Sequence, residues 1–183
     1  GLKNIASKIH GLTQSFANAV QGLDYRVLNT NFFDTITLDV LDNTKIREIA
    51  ERNGVNFRYH GTEDVSISFD ETKTLEDLGL LLEILAEAKG QTVVKNLKND
   101  VEIQIAEKLE RKGAFMQQKV FNNYHTEHEM LRYLKSLENK DLSLVHSMIS
   151  LGSCTMKLNA TAEMLPVTWP EFANIHPFVP KNQ

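Results

Sequence analysis

The chain has 183 residues, 42% of them hydrophobic and 24% charged, which is ordinary globular usage and argues against disorder or a collagen-like repeat. Its net charge of −4 comes with basic residues dispersed rather than gathered into a patch that would track phosphates, so nucleic-acid binding is not expected. No run of about 18 apolar residues is present to span a membrane, Lys3 and Lys8 interrupt any signal-peptide core in residues 1–20, and a single cysteine, Cys154, excludes an intrachain disulfide framework and fits a reducing compartment.

In chain order, Ile5, Ile9, Leu12, Phe16, Ala19, Val20 and Leu23 recur in steps of three and four, predicting an amphipathic helix that ends near Gly22. The period then changes to two. Phe32, Ile36, Leu38 and Val40 share one parity against Thr35, Thr37 and Asp39, the pattern of a half-buried strand. Asp42 or Asn43 is placed to cap a short helix running to Arg52, with Ile46, Ile49 and Ala50 inward, and Asn53-Gly54 stops it. Val55, Phe57 and Tyr59, then Val65, Ile67 and Phe69, alternate with polar residues on either side of Gly61, which predicts an antiparallel hairpin. Thr74 and Asp77 form a capping box that opens a leucine-rich helix over 74–89, closed by Gly90. The order over 1–90 is therefore α-β-α-β-β-α: an α+β fold, with one small antiparallel or mixed sheet and helices on a face.

Beyond Gly90 the signals weaken. Val94, Leu97, Val101, Ile105 and Leu109 step as in a helix, while Val101, Ile103 and Ile105 also alternate as in a strand. Thr126 and Glu129 make a second capping box, ahead of a stripe of Met130, Leu131, Leu134 and Leu137 that stops at Asn139. All four prolines, Pro166, Pro170, Pro177 and Pro180, fall in the last stretch with the only tryptophan, Trp169, among apolar residues without a period. That composition predicts an extended Pro-rich arm in need of a surface.

The densest chemical constellation is Leu151-Gly152-Ser153-Cys154-Thr155-Met156-Lys157. Two hydroxyls, a thiol and a cation beside a glycine can hold a carboxylate or phosphate. It is not a P-loop, for it lacks the second glycine and the Gly-Lys-Ser/Thr ending. The plain alternative is a turn whose hydroxyls bond their own backbone. Cys154 near Lys157 has the makings of a lowered-pKa nucleophile, or of a small packed residue. His125 and His128 flank acidic residues at a helix start, but the His-Glu-x-x-His spacing of a zinc site is absent, and Glu127 and Glu129 read as helix-dipole partners. Glu63, Asp64, Asp70 and Glu71 read as solvated strand ends, and Arg58 and His60 as surface groups.

Several long, ordered runs carry a resemblance. Phe121-Asn122-Asn123-Tyr124-His125-Thr126-Glu127, Met130-Leu131-Arg132-Tyr133-Leu134, the stretch from Leu137 to Ile149, Leu151-Gly152-Ser153-Cys154-Thr155-Met156-Lys157-Leu158-Asn159, and Pro166-Val167-Thr168-Trp169-Pro170-Glu171-Phe172 continuing to Phe178 resemble the P-protein family of the glycine cleavage system. Ile67-Ser68-Phe69-Asp70-Glu71-Thr72 extends the resemblance toward the start of the chain. It departs at Ser150, where the family usually has proline.

The resemblance implies a protein of two halves, each similar to a fold-type I pyridoxal-phosphate subunit, with the cofactor in the second half only. Residues 1–90 would then be the small C-terminal domain of the first half, 91–145 a helical linker, and 146–183 an arm opening the second half. It also implies decarboxylation of glycine, pyridoxal phosphate as electron sink, and transfer of the aminomethyl group to the lipoyl arm of the H-protein. The cofactor lysine of the family would lie beyond Gln183, so this piece alone is expected to be inactive and to bind no cofactor. Ser153, Cys154, Thr155, Lys157 and His176 are the expected active-site lining. Homo-oligomerisation is expected too, with the helix at 74–89 and the arm at 164–180 burying apolar surface between copies. The family suits a bacterial cytoplasm or a mitochondrial matrix. The competing expectation is a free-standing interaction or regulatory module.

Overall fold

The computed structural model describes residues 1–92, 97, 105–140 and 160–183. The chain divides into two compact units, Gly1–Glu110 and Arg111–Gln183.

The first unit is the expected α+β domain. Helix α1 (Leu2–Gln21) is followed by strands β1 (Arg26–Val27) and β2 (Thr35–Asp39), helix α2 (Thr44–Arg52), strands β3 (Arg58–His60) and β4 (Asp64–Ser68), and helix α3 (Leu75–Lys89). The strands form one antiparallel sheet in the order β1-β2-β4-β3. The β3–β4 hairpin is antiparallel as its turn residues predict, with Gly61 at a φ of +59° that costs a glycine little. Strand β1 is an addition: two residues are too short to show a period, and it is held by the pairing of Arg26 with Asp39 and Val27 with Leu38.

Alternation fixes which face is buried. Ile36 and Leu38 of β2 lie opposite Ile67 and Val65 of β4, and all four are buried in one cluster with Leu12, Phe16 and Val20 of α1 and Leu78, Leu82 and Leu85 of α3. Each such side chain contributes roughly 1.5–3 kcal/mol by leaving water. Phe16 meets Phe69 edge-on, with 5.2 Å between ring centroids. A smaller cluster of Ile49, Ala50 and Ile84 joins α2 to α3. Helix α3 is thus apolar on several sides because α1, α2 and the sheet all use it. None of its large hydrophobic side chains is exposed, which corrects the expectation that it buries apolar surface between copies.

The caps are legible atom by atom. At α3 the Thr74 hydroxyl accepts the Asp77 amide (3.3 Å) while the Asp77 carboxylate accepts the Thr74 amide (2.7 Å), and Gly90 closes the helix in the left-handed region at φ +67°. At α2 the work is split. The Asp42 carboxylate accepts the Thr44 amide at 2.9 Å, and the buried Asn43 amide instead donates to the Gly61 carbonyl at 3.0 Å, tying the helix start to the hairpin turn.

In the second unit, helix α4 (Glu127–Glu138) begins at the predicted Thr126–Glu129 capping box, and Tyr124 stacks on Tyr133 with centroids 4.3 Å apart. Its stripe of Met130, Leu131, Leu134 and Leu137 is exposed. Short helical turns follow: α5 (Thr161–Met164), a 3-10 turn at Leu165–Thr168, and α6 (Pro170–Ala173). The segment from 160 onward is therefore not the continuous extended arm expected of it. Pro166 and Pro170 sit in the first turn of their helices, where a missing amide hydrogen costs nothing, so these prolines start turns. Their apolar neighbours stay exposed, Phe178 at 83%. The helix-or-strand question at 94–105 and the beginning of the arm at 146 lie outside the described residues.

Candidate functional site

Ser153, Cys154, Thr155 and Lys157 lie outside the described residues, so their expected role stands on sequence. His176 is described. It is exposed three residues past α6, and its Nδ1 accepts the Phe178 amide at 3.0 Å, with the two rings 5.8 Å apart. That bond organises a local turn.

Three of the other residues weighed for chemistry, Glu129, His125 and Asp70, have structural work. The Glu129 carboxyl is held below the usual range by hydrogen bonds from the Thr126 amide and hydroxyl, making it a helix cap. His125 Nε2 bonds the Asn122 carbonyl at 2.8 Å. Among the described residues no cluster of three metal-ligating side chains occurs. Asp70 is held low by the Thr72 hydroxyl (2.5 Å) and also accepts the Thr72 amide (2.9 Å), so it closes a turn after β4.

Two arrangements went unsignalled by local sequence. On the sheet face turned away from the core, the registers place Thr35 opposite Ser68 and Thr37 opposite Ser66. Each pair of hydroxyls is 2.8 Å apart, and His60 Nε2 reaches Ser66 Oγ at 2.9 Å. Arg58 lies beside Ser66 in register, and Arg26 pairs with Asp39 at the far strand. Ser66 is only 8% exposed and already serves two partners, so the Ser66–His60 contact zips β3, β4 and β2 rather than presenting a nucleophile. The alternation that revealed the core face also implied these pairs, once the strand register was known.

The second arrangement joins the ends of α1 and α3. The Tyr25 hydroxyl donates to the Leu85 carbonyl at 2.9 Å, and burial pushes its pKa up to about 12. Lys89 donates to the Leu23 and Asp24 carbonyls at 2.9 and 2.6 Å and lies 4.1 Å from the Tyr25 ring centroid, a cation–π contact.

A pyridoxal-phosphate site needs a lysine amine shielded from water beside donors for an anion. None of the described lysines is buried, and Lys89, the best engaged, spends its hydrogens on backbone carbonyls. The described residues do not fit that group and carry no step through it.

What is defined so far is a helix-backed antiparallel α+β domain joined to a segment of helical turns with an apolar exterior. Residues 1–85 match the model of the family described as "Glycine cleavage system P-protein". The whole chain is also 47% identical over 185 residues to a mitochondrial glycine dehydrogenase (decarboxylating) of Solanum tuberosum, covering 18% of that protein. It is 48% identical to the glycine dehydrogenase (decarboxylating) of Flavobacterium johnsoniae and 50% to that of Deinococcus radiodurans, in each case over 183 residues and 19% of the relative. The chain is thus similar along its whole length to an internal part of these relatives, and its first 85 residues carry the match to the glycine cleavage system P-protein family. It spans less than a fifth of the length of the curated relatives it matches. Among the described residues no helix is long and apolar enough to cross a membrane.

Proposed function

We propose that the protein carrying this stretch decarboxylates glycine with pyridoxal phosphate and passes the aminomethyl group to the lipoyl arm of the H-protein. The observation that carries this reading is an identity near one half along the entire chain to proteins named glycine dehydrogenase (decarboxylating). The cofactor supplies the electron sink for loss of carbon dioxide. In this reading residues 1–90 are the small domain closing the first of two aminotransferase-like halves, 91–145 a linker, and 146–183 the opening of the second half. The helix-backed antiparallel sheet supports the first assignment. Ser153 and Thr155 would offer hydroxyls, and Lys157 a cation, to an anionic group at the active site, with Cys154 and His176 nearby. The protein would work as a homo-oligomer in a bacterial cytoplasm or a mitochondrial matrix.

The test is release of labelled carbon dioxide from carboxyl-labelled glycine, with lipoylated H-protein present. Full-length protein should release it, and this 183-residue chain alone should not; turnover by the chain alone would overturn the division of labour. Lys157→Ala in the full-length protein should lower kcat/KM by about 10- to 100-fold, the equivalent of losing one charge-assisted hydrogen bond. Unchanged kcat/KM would remove Lys157 from the lining.

A further inference from the structure

We draw no further inference here: the strongest candidate, the exposed apolar stripe of α4 formed by Met130, Leu131, Leu134 and Leu137, carries nothing because nothing in the structure shows what covers it.

Discussion

Helices α3 and α4 are written in the same local language. Each opens with a threonine whose hydroxyl accepts the amide three residues on, with an acidic side chain reaching back, and each carries leucines at helical spacing. Their surroundings differ completely. Leu78, Leu82 and Leu85 of α3 are buried against α1 and the sheet, whereas Leu131, Leu134 and Leu137 of α4 are exposed. Local sequence specifies that a helix forms and where it starts. Whether its stripe becomes a core depends on what the rest of the chain brings to it, and among the described residues the sheet belongs to the first unit.

Truncation should expose this difference most strongly. Leu82→Ala is expected to cost about 2–5 kcal/mol in denaturant unfolding, because it removes a fully packed side chain and leaves a cavity. Leu134→Ala in the same chain should stay within about 0.5 kcal/mol. Equal losses would mean that α4 has a core partner in solution and would erase the contrast. The capping threonines give a smaller version of the test. Thr74→Ala should lower global stability by about 1 kcal/mol, whereas Thr126→Ala should reduce helical circular dichroism without moving the main unfolding transition.

Alkaline titration sharpens the comparison from the side of the first unit. Tyr25 titrates at about 12 when folded, against its ordinary 10, so the folded state retains a proton that the unfolded state gives up first. Its stabilising contribution is fully present below about pH 10 and declines as the pH rises toward about 12. Tyr25→Phe should flatten that decline in unfolding curves taken across this range. A slope unchanged by the substitution would place the alkaline sensitivity elsewhere.

Much of the first unit was legible in advance because its signals are local and repeated. Steps of three and four placed α1 and α3, parity placed Ile36 and Leu38 inward, and Gly61 marked the hairpin. What escaped depends on contacts distant in sequence. Strand β1 exists only through pairing with β2, and Tyr25 reaches Leu85 sixty residues along the chain. The buried role of α3 could not be told from an interface role, since a helix covered by its own chain and one covered by a copy show the same wide apolar surface. The prolines after 160 misled for a physical reason: proline blocks a helix interior but suits its first turn, and which position it takes depends on the residues before it. The candidate site was legible only as the Gly152–Lys157 run. Its hydroxyl-and-cation chemistry suggested an anion, and the resemblance to a family supplied the reaction.

The central claim is that this stretch builds a small domain and contributes lining, while the cofactor is held elsewhere in the protein. The most direct measurement is to mix the purified chain with pyridoxal phosphate, follow imine absorbance, reduce with borohydride and map modified lysines by mass spectrometry. The account predicts at most scattered, substoichiometric labelling of exposed lysines. Stoichiometric labelling at Lys157 would contradict it, because the chain would then carry a cofactor site of its own.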